Sequence, residues 1–190
     1  MWRCGMMVAV SSTFPTVPKG KRGYVVDEVD AFLAEARKAY AGDASLGIDS
    51  ARIRRTAFGL TKNGYSTAHV DAALERLEDA FASRERERAV SSGAESTWFS
   101  SARSGAEDIV ARLERPQGHR FDRVGILTTG YHPRDVDRLT RRLHGYFTDG
   151  RPLSIDDVRA SVFRSKRGGY RESQVDLLLD TVVDVMLAVR

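Results

Sequence analysis

Apolar residues recur in four short stripes along the chain, each starting a fixed distance after a Gly-Tyr pair. Counted from the tyrosine, they fall at about +5, +8 or +9, +12 and +16. The first stripe holds Val29, Phe32, Leu33, Ala36 and Tyr40, and the second Val70, Ala73, Leu74, Leu77 and Phe81. The third holds Val136, Leu139, Leu143 and Phe147, and the fourth Val175, Leu178, Leu179, Val182 and Met186. Steps of three and four residues line these side chains along one face of a helix. The opposite faces are charged, as in Glu35, Arg37 and Lys38. The pattern predicts four amphipathic helices of roughly four turns each, marginal alone in water and therefore packed on one another.

A common signature precedes the stripes: Gly23-Tyr24 with Val29-Asp30, Gly64-Tyr65 with Val70-Asp71, Gly130-Tyr131 with Val136-Asp137, and Gly169-Tyr170 with Val175-Asp176. The Tyr-to-Tyr intervals are 41, 66 and 39, so the copies form two pairs whose first members lie 107 residues apart. Repeats of this kind bury a shared core by stacking. With Val25, Ser66, His132 and Arg171 as N-caps, Pro133 falls at the first helical position, where its missing N–H costs nothing. Glu28, Asp135 and Gln174 then sit at the third position, where they are expected to reach back to the unpaired amides of the first turn; His69 is the weak member. Tyr and Val take the places of a hydrophobic staple. Glycine before Tyr is expected where the loop turns with positive φ, and the recurring Asp is expected to pair with a loop Lys or Arg.

Upstream of Tyr the copies alternate. The second and fourth have helix-like lead-ins, Ile48 to Phe58 and Ile155 to Phe163, whereas the first and third have Phe14-x-x-Val17 and Phe121-x-x-Val124. The expected fold is all-α: four tandem loop-plus-amphipathic-helix repeats arranged as two pseudo-symmetric pairs, in a helical bundle or short coiled coils. The segment from Ala41 to Gly47 can span about 23 Å when extended, enough for parallel pairing, with antiparallel pairing still open. By this reading residues 1–12 are a disordered or mis-started N-terminus, with Met6 or Met7 as alternative starts. Residues 13–90 hold the first pair, 91–105 a linker, and 106–190 the second pair with a leading short helix from Ala106 to Arg115. Trp98 and Phe99 in the linker either dock a partner or pack back on one of the pairs.

The stretch from Phe14 to Leu33, with Lys21-Arg22-Gly23-Tyr24 and Glu28-Val29-Asp30-Ala31-Phe32-Leu33, closely resembles the N-terminal domain of DivIVA, the bacterial cell-division and polar-growth scaffold, in its high-GC Gram-positive versions. The fourth copy, from Phe163 to Leu179, resembles it almost as well, and the second and third are degenerate forms. The resemblance implies a helical module that dimerises as a parallel coiled coil, lies on the inner face of the cell membrane through basic and apolar loop tips, and recruits division or growth-zone proteins. The family's long coiled-coil tail is missing, so lattice formation by that tail does not carry over. The position of the family's membrane-inserting aromatic is taken by Lys21, Lys62, Thr128 and Arg167, which leaves an electrostatic contact. The candidate membrane or partner loops are Lys19, Lys21 and Arg22, and Arg164, Lys166 and Arg167. At about 1 kcal/mol per cation near an anionic leaflet, one loop supplies about 3 kcal/mol and two together give useful avidity.

Composition changes this picture little. The 190 residues carry 42% hydrophobic and 29% charged residues, with a formal net charge of +4, ordinary for a helical globular protein. The single cysteine, Cys4, excludes an internal disulfide and fits a reducing compartment. No apolar run approaches a membrane span. The expected location is cytoplasmic, peripheral on the membrane at septum or pole. The four histidines have no partners at metal-ligand spacing, and no phosphate loop, nucleophile elbow or zinc-protease string is present. No catalytic residue, metal or cofactor is expected. The expected function is a non-enzymatic adaptor or scaffold acting on protein partners, with self-association compatible. The competing reading is nucleic-acid binding by Arg52, Arg54 and Arg55 beside Arg134, Arg138, Arg141 and Arg142. Acidic residues such as Asp135 and Asp137 interrupt those faces and make nucleic acid the weaker partner.

Overall fold

The computed structural model describes residues 13–189; the expectations for residues 1–12, Cys4 included, lie outside them. Among the described residues, β1 (Arg22–Tyr24), α1 (Val26–Ala41), α2 (Ser50–Arg54), β2 (Leu60–Lys62) and α3 (Thr67–Ser91) are followed by α4 (Glu95–Leu113), β3 (Thr129–Tyr131), α5 (Pro133–Asp149), α6 (Ile155–Arg159), β4 (Ser165–Arg167) and α7 (Glu172–Ala188). The protein is mostly helical, with 60% of residues in helix. It is not all-α, because β1 pairs antiparallel with β2 and β3 with β4. Strands of three residues are too short to show a two-residue alternation, so nothing in the hydropathy pattern betrays them.

The chain divides into two compact units, with the division between Ala82 and Ser83, inside α3. In the first, Val29, Ala36, Ile53, Tyr65, Val70, Leu74 and Phe81 form the buried core, with Phe14, Phe32, Leu33 and Phe58 packed against it. α1 and α3 leave the same two-stranded sheet. Their fourth-turn rings, Tyr40 and Phe81, meet with centroids 5.3 Å apart, so the two helices run in parallel there. In the second unit α4 packs on α7 and α5, and α6 on α7, burying Ile109, Leu113, Leu143, Val158 and Val182.

The helix starts follow the capping pattern. Val25, His132 and Arg171 are the N-caps, and α3 begins directly after Ser66. In each case the cap carbonyl accepts from the amide of the signature valine, Val29, Val70, Val136 or Val175. Pro133 is the first residue of α5. The lead-ins are shorter than expected. α2 is capped by Asp49 and α6 by a Ser154–Asp157 capping box, and both end well before Phe58 and Phe163.

Residues 95–105, read as linker, belong to the 19-residue α4. Their small side chains have a packing reason. Ala102 is buried, and a Cβ on Gly105 would meet a Val185 methyl at 2.9 Å. A helix face kept bare so that α7 can approach has the same composition as a linker.

Candidate functional site

The four signatures meet in two crossed clasps. In the first unit Tyr24 and Tyr65 exchange both backbone hydrogen bonds, each 2.9 Å. In the second Tyr131 and Tyr170 do the same, at 3.0 and 2.8 Å. The segment leading into one copy pairs with the Gly-Tyr strand of the other. Val25 donates to the Gly59 carbonyl and Ser66 to that of Pro15; His132 donates to Arg164 and Arg171 to Asp122. The upstream rings cross as well, Phe14 on Tyr65, Phe58 on Tyr24, Phe121 on Tyr170 and Phe163 on Tyr131, with centroids 5.0–5.4 Å apart.

This crossing corrects two readings and extends a third. The signature glycines do not have positive φ. They are glycines because a Cβ at Gly23, Gly64, Gly130 or Gly169 would lie 2.1–2.5 Å from the carbonyl oxygen of the other copy's tyrosine, a contact no side chain tolerates. Positive φ occurs one residue earlier in the second and fourth copies, at Asn63 and Gly168. The residues at the third helical position do not serve their own helix. Glu28 accepts from the Gly59 amide at 2.7 Å, Asp135 from the Arg164 amide and guanidinium at 2.7–3.3 Å, and Gln174 from the Asp122 amide at 2.9 Å. Finally, the signature Asp takes a tyrosine hydroxyl of the other copy, and at Asp137 the expected loop cation, Arg120, as well. Tyr65 donates to Asp30 at 3.1 Å and Tyr170 to Asp137 at 3.1 Å, while Tyr24 faces Asp71 and Tyr131 faces Asp176.

Electrostatics follow from that geometry. Burial first, then the charge of Asp137, pushes the Tyr170 hydroxyl up to about 12. Burial and then Asp176 push Tyr131 up to about 12, and burial with Asp71 raises Tyr24. Burial also raises Asp176. The second clasp has an additional member: Arg120 donates to Asp137 at 3.3 Å, to the Thr140 hydroxyl at 3.1 Å and to the Leu113 carbonyl at 2.9 Å, tying the end of α4 to the clasp. Sequence reading missed Arg120, because only the folded loop brings it to Asp137, and with it the role of Thr140, one helical turn on from Asp137 in α5.

The loop candidates separate. Lys19 and Lys21 lie on an exposed turn closed by Lys21 donating to Pro18, and Arg22 faces Lys62 across the sheet. Lys166 and Arg167 lie on β4 opposite Gly130 and Thr129. Arg164 is held bidentately by Asp135 and points its charge at a partner within the unit. The loop surface is also not purely basic. On the turn closed by Thr128 donating to Gly125, Ile126 is 83% and Leu127 86% exposed. They occupy the places of Lys19 and Gly20 in the first copy, two and one positions before Thr128, the residue compared in the sequence. Arg123, which donates to the Gly168 carbonyl, joins Lys166 and Arg167 beside them.

Trp98 packs back, donating to the Ala188 carbonyl at 3.3 Å, whereas Phe99 stays 43% exposed. Of the Arg residues in the nucleic-acid reading, Arg54 is partly buried and ion-paired with Glu78, and Arg142 pairs with Asp157 at 3.4 Å. Arg141 donates to the Asp137 carbonyl. Arg52, Arg134 and Arg138 are exposed. Among the described residues no group of three or more His, Cys, Asp or Glu could hold a metal ion, and no helix is long and apolar enough to cross a membrane. Compared with family models, curated proteins and solved structures, the chain matches none.

Proposed function

We propose that the chain is a non-enzymatic adaptor of four DivIVA-like repeats in two pseudo-symmetric pairs, acting in cell division or polar growth and resting on an anionic membrane surface through the second unit. The observation that carries the membrane contact is the pair of exposed aliphatic side chains, Ile126 and Leu127, set beside Arg123, Lys166 and Arg167. Magnitudes favour this tip over a purely basic loop. Three cations near an anionic leaflet contribute about 3 kcal/mol. Half-burying an isoleucine and a leucine adds roughly 2–3 kcal/mol, for a dissociation constant on the order of a hundred micromolar. The first-unit turn, with Lys19 and Gly20 in the corresponding places, has only the electrostatic part.

The test is co-sedimentation with vesicles of phosphatidylglycerol and phosphatidylcholine. The expected result is binding that weakens with salt and falls at least about tenfold on combining Ile126→Asp with Leu127→Asp. Wild-type protein remaining in the supernatant, or a variant sedimenting like the wild type, contradicts the membrane contact. A fluorescent fusion tests the cellular role: septal or polar foci support the adaptor, and nucleoid signal supports nucleic-acid binding instead.

A further inference from the structure

The outer side of α5 has a feature that the clasps do not use. A groove of about 490 Å³ opens between α5 and the extended segment leading into β4. Arg138 and Arg142, one helical turn apart, form one wall. Val162 and Phe163 form the other, with Asp135 and Arg164 at the base.

The charges in it are not equivalent. Asp135 is saturated by Arg164, accepting from its amide, Nε and Nη2, so these two cancel. Arg142 shares Asp157 at 3.4 Å, with both side chains about half exposed. Arg138 is exposed and has no ion-pair or hydrogen-bond partner among the described residues. Net positive charge therefore faces the groove. Opposite it, Val162 is 90% exposed, although Val158 before it is buried and Phe163 after it stacks on Tyr131. Anchored neighbours hold an aliphatic side chain out beside unneutralised guanidinium.

We infer that this groove binds an acidic peptide segment of a partner protein, a carboxylate on Arg138 and Arg142 and an aliphatic side chain against Val162. Guanidinium and carboxylate match in fork geometry, and arginine beside an apolar contact is a frequent anchor of protein interfaces. A nucleic-acid backbone fits less well, because it has no aliphatic group for Val162. The first unit supplies the contrast, since Ala31, Glu35, Ala57 and Gly59 stand where the second has Arg138, Arg142, Val162 and Arg164. The inference names the partner chemistry of the adaptor reading and rests on it, but is independent of the membrane tip.

The experiment is fluorescence anisotropy of the full chain with a labelled peptide of two leucines flanked on each side by two glutamates. Saturable binding is expected, weakened roughly tenfold or more by Arg138→Glu and by Val162→Asp, and unchanged by Arg103→Glu on α4. Circular dichroism should show all three variants folded, because the substituted side chains are exposed. Combining Ile126→Asp with Leu127→Asp should leave peptide binding intact while vesicle binding is lost, which separates the two claims. Absence of saturable binding, equal binding by Arg138→Glu, or equal binding of a lysine-for-glutamate peptide overturns the inference. So does a single-stranded oligonucleotide that binds with the same dependence on Arg138 and Val162.

Discussion

The two units close on the same clasp and differ in almost everything set around it. Both have the paired glycines, the exchanged Tyr backbone bonds, the Phe ring on each Tyr and the crossed Tyr–Asp contact. In the first unit the Tyr65 hydroxyl accepts from the Thr13 amide and donates to a partly exposed Asp30. In the second, Asp137 is buried and shared between Tyr170 and Arg120, and α4 covers the helices. The exposed turn has Lys19 and Gly20 in one unit and Ile126 and Leu127 in the other. The recurring residues thus join two copies, and the residues between them distinguish the surfaces.

That contrast can be broken most forcefully at Arg120. Arg120→Ala leaves Asp137 buried without its cation and should destabilise the second unit by about 3–5 kcal/mol. Trp98 fluorescence during chemical denaturation, in a Trp2→Phe background, would report it. A loss below about 1 kcal/mol would remove the distinction between the clasps. Next come the glycines, where both units should respond alike. Gly23→Ala and Gly130→Ala each drive a methyl into a backbone carbonyl and should cost about 3 kcal/mol, read as lowered denaturation midpoints. A tolerated alanine in either would show that the strands do not approach so closely. Smaller still, Tyr170→Phe should cost about 2 kcal/mol, because its hydroxyl bonds a buried charged group.

The pH dependence sharpens the same comparison. Tyr131 and Tyr170 have hydroxyls raised to about 12 from 10, so the unfolded chain releases these protons first. Their stabilisation is complete below pH 10 and is lost as pH rises through about 12. Denaturation midpoints of the second unit should fall over that window, and Tyr170→Phe should flatten part of the fall. At the acid end, hydrogen bonds from Arg164 hold the Asp135 carboxyl well below its ordinary value. That contribution is present above the unfolded carboxylate range and fades as pH falls below it, the smallest effect because the Arg164 side chain is exposed to solvent.

Much of the helical framework was legible in the sequence. The cap positions, Pro133 at the start of α5 and the buried signature valines all follow from spacing and first-turn chemistry. The crossing was not, because Tyr65 reaches Asp30 across 35 residues and local rules see only the neighbouring turn. For the same reason local rules assign Glu28 and Gln174 to their own helices, although each bonds the other copy. Gly105 misled differently: a glycine that admits α7 and a glycine that loosens a linker are the same letter. Ile126 and Leu127 were visible in the chain, but only the folded turn shows that nothing in the unit covers them.

The central claim is that each repeat closes on the other copy of its pair. A double-mutant cycle in the first unit tests it directly, comparing Tyr65→Phe with Asp30→Asn and Tyr65→Phe with Asp71→Asn by equilibrium denaturation. The crossed account predicts a coupling of about 1 kcal/mol between Tyr65 and Asp30 and none resolvable between Tyr65 and Asp71. Coupling confined to Tyr65 and Asp71, within one copy, would contradict it.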